Sequence, residues 1–212
     1  THALEMSALL LDIKEGDEVI IPSFTFVSTV NAFVMRGATP IFADVRPDTL
    51  NLDEKHVAEL VTERTKAVVP VHYAGVACDM TALQALAEQH GFAIVEDNAH
   101  GLFGKYKGQA LGSFGALATQ SFHETKNIHA GTGGLLVVNN KKFINQINFI
   151  FDKGTNRNLM ISKKIKYYTW VTIGSAFLMS EFSASYLLPQ IKNYKRIVHK
   201  RGLLYNNYVK NL

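Results

Sequence analysis

Between residues 18 and 97 the sequence alternates short, unbroken apolar runs with stretches of amphipathic helical spacing, and that rhythm leaves few folds open. The runs at 18–22 (EVIIP), 39–45 (TPIFADV), 67–72 (AVVPVH) and 92–97 (FAIVED) read as strands. Each is apolar throughout, as strands are when a sheet is covered on both faces. Residues 25–36, 52–63 and 79–90 between them carry helical spacing. The first has Phe26, Val30, Phe33 and Val34 on one side and Gly37 as its stop. The second has Asp53 as its N-cap; the third turns Leu83, Leu86 and Ala87 inward and stops at Gly91. Strand and helix in this order build right-handed βαβ units around a mostly parallel sheet, so the expected class is α/β, with helices on both faces of the sheet.

After Asp97 the rhythm changes. Gly101, Gly104, Gly108, Gly112 and Gly115 punctuate a loop region. Strands are expected at 118–122 and 135–139, a helix at 141–153, a basic loop at 154–172, and helix from 177 to 212 with a kink or break at Pro189. The sequence starts and ends inside helical patterns, which suggests a piece of a longer protein.

Composition narrows the class further. Of 212 residues, 47% are hydrophobic and 19% charged, which suits a chain that buries a core. One cysteine excludes an internal disulfide framework. No apolar run reaches about 18 residues, so no membrane-spanning helix is expected. The first residues lack the basic-then-apolar order of a signal peptide, and the cytoplasm is the expected location. The net charge of +4 hides a split: residues 1–138 carry −7 and residues 139–212 carry +11. A basic segment suggests an acidic partner or nucleic acid, but a solvated helix face or a subunit contact is the simpler explanation.

In open α/β sheets, ligands sit beyond the carboxyl ends of the strands. The residues there are 23–26, Asp44, His72-Tyr73, 97–100 and 121–126. Asp97 closes a buried strand, where a carboxylate is costly unless paired. It either caps the next turn or presents a fixed anion to a cationic ring nitrogen or a metal. Lys126 lies between an apolar strand and a Gly-rich turn, and an amine held there can form a Schiff base. Phe26 is a core aromatic or a stacking ring, and Ser121 binds a phosphate or satisfies a turn. Together, a Schiff-base lysine, a carboxylate, an aromatic ring and hydroxyls describe a pyridoxal phosphate (PLP) site.

Other cofactors fit poorly. The eight histidines form no HExxH pair or His/Cys cluster, and Cys78 is alone, so no metal site is expected. No Gly-x-Gly-x-x-Gly turn follows the first strand, and the P-loop pattern is absent.

Five motifs in order resemble the DegT/DnrJ/EryC1/StrS sugar aminotransferases: Pro22 to Thr29 (PSFTFVST), Pro70 to Gly75 (PVHYAG), Glu96 to Gly101 (EDNAHG), Ser121 to Asn127 (SFHETKN) and Gly131 to Gly134 (GTGG). The wording FHETKN, with KGTNR at 153–157 and Tyr168-Thr169-Trp170, is most similar to the dTDP-4-amino-4,6-dideoxygalactose transaminase branch, which acts in enterobacterial common antigen synthesis.

The resemblance implies the large domain of a fold type I PLP-dependent transferase, a three-layer αβα structure. It implies a PLP-binding part at 1–176 and a helical segment at 177–212 leading to a smaller domain, with the first helix and strand of the fold lying before Thr1. In that frame Lys126 carries the Schiff base and Asp97 pairs with the ring nitrogen. Phe26 stacks on the ring and Ala99 packs on its other face. Ser121 and Thr1 contact the phosphate, and His100 lies near the 3-hydroxyl. Asn156 and Arg157 reach toward a neighbouring subunit's site, so a homodimer with shared sites is implied. The implied reaction moves an amino group from glutamate to the 4-keto carbon of a dTDP-linked 6-deoxy sugar. The alternatives are a 3-aminotransferase of another keto-sugar, or a non-catalytic relative or basic binding module. Neither nucleic acid nor membrane is an expected partner, because the +11 segment suits a diphosphate-bearing substrate.

Overall fold

The computed structural model describes all 212 residues. They separate into two compact units, Thr1–Gln120 with Gly134–Leu178, and Ser121–Gly133 with Met179–Leu212. In chain order the first holds α1 (His2–Leu10), β1 (Glu18–Pro22), α2 (Val27–Val34), β2 (Thr39–Ala43), α3 (Glu54–Leu60), β3 (Thr65–Val68), α4 (Met80–His90) and β4 (Ala93–Asp97). A two-residue hairpin follows, β5 (Lys105–Tyr106) and β6 (Gln109–Ala110), then β7 (Leu117–Ser121), whose last residue begins the second unit. The first unit ends with β8 (Gly134–Val138), α5 (Ile144–Ile150) and α6 (Arg157–Ile161). The second unit holds the loop after β7 and two helices, α7 (Glu181–Lys192) and α8 (Tyr194–Asn211). No helix is long and apolar enough to cross a membrane.

The sheet runs β2-β1-β3-β4-β7-β8, and its first five strands are parallel. The Asn139 amide donates to Ala116 O just before β7, while Gly134 lies over Gln120 O near its end, so β8 runs antiparallel. Alternation of side chains across each strand feeds two cores. Val19, Ile21, Ala67, Val69, Val95 and Leu117 pack with α1, α2 and α5 residues such as Leu4, Phe33 and Ile150. Ile20, Val68 and Ile94 face the other way, onto Val57 of α3 and Met80 and Leu83 of α4. This is the αβα layering expected of strands that are apolar on both faces.

The helix ends follow local chemistry. Asp53 and Asp79 cap α3 and α4 by accepting from the amides of Lys55 and Ala82. Gly91 ends α4 at φ 79°, in the left-handed region that glycine enters without a Cβ clash.

Several expected boundaries move. The helix expected at 25–36, which is α2, starts at Val27, leaving Phe26 as its N-cap and turning Phe26 and Val34 to solvent instead of the core. The third strand stops at Val68, because Pro70 has no N–H for the ladder; Val71 rejoins only as a bridge to Asp97. The expected loop at 154–172 contains α6. The last helix begins at Glu181, and its break falls at Asn193, not at Pro189, which sits inside α7. Asn193 closes α7 by donating from both its backbone and its side-chain amide to Pro189 O.

Two carboxylates end β4, and strand geometry sends them to opposite faces. Glu96, fully buried, lies on the α4 face with Ile94. It accepts from the amides of Gly112, Phe114 and Gly115, each at 2.7 Å, and lies 3.0 Å from His72 Nε2. The Cys78 amide donates to His72 Nδ1 at 3.2 Å. That nitrogen is therefore the acceptor, the ring proton sits on Nε2, and a neutral imidazole donates to a charged carboxylate. Burial alone would raise the Glu96 carboxyl; the His72 donor and the amides of Gly115 and Gly112 overcome it and hold it below the ordinary value. Cys78 is inert beside it, because burial pushes its thiol up to about 12.

A folded-state value below the unfolded one means the Glu96 contribution is complete above the ordinary glutamate range near pH ~4.3, and is lost as pH falls through the folded value. Glu96→Gln, which turns a donor toward those amides, is expected to cost about 3 kcal/mol in urea unfolding at pH 7. The difference from wild type should shrink below about pH 4.

Candidate active site

The strand order reverses at β1. The chain leaves β1 for β2 on one side, and the next strand, β3, lies on the other. The crevice beyond the carboxyl ends of β1 and β3 is where such sheets bind ligands, and the segments after β1, β3 and β4 converge there. Asp97 is spliced into this edge by its backbone. Its N–H donates to Pro70 O (2.9 Å), its carbonyl accepts from His72 (3.1 Å), and the next amide donates to Thr119 O (2.9 Å).

The Asp97 side chain points to the α2 face, shared with Val95, and is buried. Its Oδ2 accepts the Thr29 hydroxyl at 2.8 Å and its Oδ1 accepts the Ala99 amide at 3.2 Å. Two donors fix the plane of the carboxylate. Each oxygen keeps a further lone pair for a cation or an N–H.

Beside it, two helix N-termini meet. Thr1 Oγ1, at the start of α1, lies 2.7 Å from Ser28 Oγ, in the first turn of α2. Neither helix is capped by the side chain of its own N-cap residue. Their first-turn amides and dipoles make this corner favourable for an anion. Phe26, the N-cap of α2, is 72% exposed, so its ring is a surface available for stacking instead of a core element. Ala99 is half-buried beside Asp97. His100 accepts the Ala74 amide on Nδ1 (3.2 Å), and its ring meets Tyr73 edge-on at 5.4 Å; Tyr73 in turn lies 4.7 Å from Phe24.

Asn156 and Arg157 also belong to the first unit, but they bond within their own loop. Asn156 Oδ1 accepts the Thr169 amide at 2.7 Å, and Arg157 Nη1 lies 3.4 Å from Asp152. Asp152 is buried and sits below the ordinary carboxylate range, chiefly through its bond from Lys153 and then, against the cost of burial, through Arg157.

The second unit carries Ser121 and Lys126. Phe122 opens the loop by donating to Gly133 O (2.8 Å) and accepting from Ala130 (2.8 Å). Phe122, Ile128 and Ala130 are buried and anchor it. Gln190 of α7 clamps the loop's far side, donating to His129 O (2.8 Å) and accepting from its amide (3.2 Å). Lys126 is half-buried in this loop, with its backbone amide bonded to His123 O at 2.9 Å. Ser121 Oγ accepts the His123 amide at 3.3 Å.

The family model described as the DegT/DnrJ/EryC1/StrS aminotransferase family matches residues 1–212. The chain belongs to that family. The spore coat polysaccharide biosynthesis protein SpsC of Bacillus subtilis is 36% identical over 211 residues, 98% of this chain and 54% of SpsC. The aminotransferase TlmJ of Streptoalloteichus hindustanus superposes with a TM-score of 0.90 at 32% identity, over 100% of this chain and 56% of its own. Spr1654 of Streptococcus pneumoniae in its PLP form gives 0.88 at 27% identity, over 99% of this chain and 57% of its own. The chain spans a little over half the length of the curated relatives it matches. Its fold is that of the PLP-dependent aminotransferases.

No group of three or more His, Cys, Asp or Glu side chains could hold a metal ion. Sequence reasoning missed Thr29 and Ser28. Both stand in the PSFTFVST motif, and Thr29 follows Phe26 at helical spacing, a signal that was legible. It also left Glu96 without a role, although two adjacent carboxylates on one strand must face opposite ways. Because Phe26 is exposed and Phe33 buried, Phe26→Ala should change unfolding free energy by less than about 0.5 kcal/mol. Phe33→Ala should cost about 3–5 kcal/mol in the same denaturant titration.

Proposed function

We propose that this family member is a PLP-dependent sugar aminotransferase. The carrying observation is the doubly held carboxylate of Asp97 at the end of β4, next to a corner where two helix N-termini bring hydroxyls together. The residues fit the cofactor's chemistry. A fixed anion suits a protonated pyridine nitrogen, an amide-rich corner suits a phosphate, and an exposed Phe26 suits a flat ring. When bound, PLP supplies an electron sink for the carbanion that forms as an amino group is exchanged.

Asp97 would hold the proton at the ring nitrogen, keeping the ring electron-withdrawing. Phe26 and Ala99 would flank the ring, Thr1 and Ser28 would hold the phosphate, and His100 would serve the 3-hydroxyl. By the family resemblance, Ser121 would also contact the phosphate and Lys126 would hold the cofactor covalently through its amine. That amine, when free, would take and return the proton at the reacting carbon as general base and then acid.

The finer reading is a dTDP-4-keto-6-deoxy sugar as acceptor and glutamate as donor, working in the cytoplasm as a homodimer whose Asn156–Arg157 loop serves the neighbouring site. It rests on the wording FHETKN and KGTNR. The basic character of residues 139–212 supports a substrate with a diphosphate. SpsC, named for polysaccharide biosynthesis, supports a carbohydrate acceptor.

Borohydride reduction of the PLP-loaded protein followed by peptide mass mapping tests the assignment. The expected result is one pyridoxyl adduct, on Lys126, which Lys126→Ala abolishes together with amino transfer to a keto-sugar nucleotide. An adduct that survives Lys126→Ala would overturn it.

A further inference from the structure

We propose that Thr29 is a positioning residue of this site, setting the orientation of the Asp97 carboxylate through a hydroxyl chain that starts at Thr25. The inference rests on the reading of the site as a PLP site, and it adds a role for Thr29 that the resemblance does not assign.

Thr29 is fully buried on α2, and its hydroxyl is 2.8 Å from Asp97 Oδ2. A carboxylate only accepts, so the Thr29 hydrogen must point at Asp97. Thr25 Oγ1 lies 2.9 Å from Thr29 Oγ1. With the Thr29 hydrogen already committed, Thr25 must be the donor in that pair. The direction of both bonds is therefore dictated by Asp97, and each bond polarises the next toward the carboxylate. The Ala99 amide holds the other oxygen at 3.2 Å, a longer and weaker contact. Thr29 is accordingly the main restraint on rotation of the carboxylate about its terminal torsion, which is broad and soft without one.

The placement links three parts of the site through one rigid turn. Phe26 is the N-cap of α2, Ser28 meets Thr1, and Thr29 meets Asp97. Because these residues share one helical turn, the hydroxyl that aims the anion is in fixed register with the stacking ring and the phosphate corner. A methyl in place of that hydroxyl would keep the volume, remove the donor to Asp97 Oδ2, and free the carboxylate to turn.

The test compares wild type, Thr29→Val and Thr29→Ser, each loaded with PLP, by equilibrium dissociation of PLP and by circular dichroism of the visible cofactor band, which reports ring orientation. Thr29→Val should weaken PLP binding roughly ten-fold, the loss of one hydrogen bond to a charged group, and should reduce or invert the visible dichroism. Thr29→Ser, which keeps the hydroxyl and loses only a methyl, should restore both to within about two-fold. Affinity and dichroism unchanged in Thr29→Val would overturn the positioning role while leaving the PLP reading intact. Equal damage in Thr29→Val and Thr29→Ser would also overturn it, because packing would then be the cause. A wild-type protein with no cofactor band would overturn both.

Discussion

Two neighbouring carboxylates at the end of one buried strand are the constraint around which the rest is arranged. Burying a charge is unfavourable by several kcal/mol unless donors surround it. β4 buries two in succession, Glu96 and Asp97, on opposite faces of the sheet. Glu96 is satisfied completely by three amides and a neutral imidazole. It ties the Gly112–Gly115 turn and the segment after β3 to the strand, and leaves no capacity for a ligand. Asp97 is satisfied only in part, by one hydroxyl and one amide. The difference divides the labour: the first carboxylate makes the strand end rigid, and the second is held ready on that rigid end.

The same economy appears in α2. A helix this short gains little from propensity and depends on what its faces contact. Its inner face gives Ala32 and Phe33 to the core. Its first turn gives Ser28 to Thr1 and Thr29 to Asp97, while the N-cap position is occupied by an aromatic that cannot cap. Ser, Thr, Asp or Asn would cap the helix better there. An aromatic at that position is a local departure from helix chemistry of the kind found at functional sites.

Much of this was legible in the sequence. Continuous apolar strands spaced by amphipathic helices identified the layered α/β class, and Asp53 and Gly91 marked helix ends that the structure reproduces. The motifs identified the family and pointed to Asp97 and the α2 turn. What periodicity could not show was long-range partnership. Thr29 and Asp97 are 68 positions apart, and Glu96 meets amides 16 to 19 positions away. Phe26 looked like a core position because hydrophobic spacing does not distinguish a helix face from the residue that caps it. The break near Pro189 was misplaced because a proline can stay inside a helix, whereas Asn193 closes α7 with its own side chain.

The central claim is that Asp97 is the anion that keeps a cofactor's ring nitrogen protonated. Nitrogen-15 NMR of the protein loaded with PLP labelled at the ring nitrogen tests it most directly. A wild-type resonance at the pyridinium position that moves to the neutral pyridine position in Asp97→Asn is the predicted result. A resonance at the same position in both proteins would contradict it.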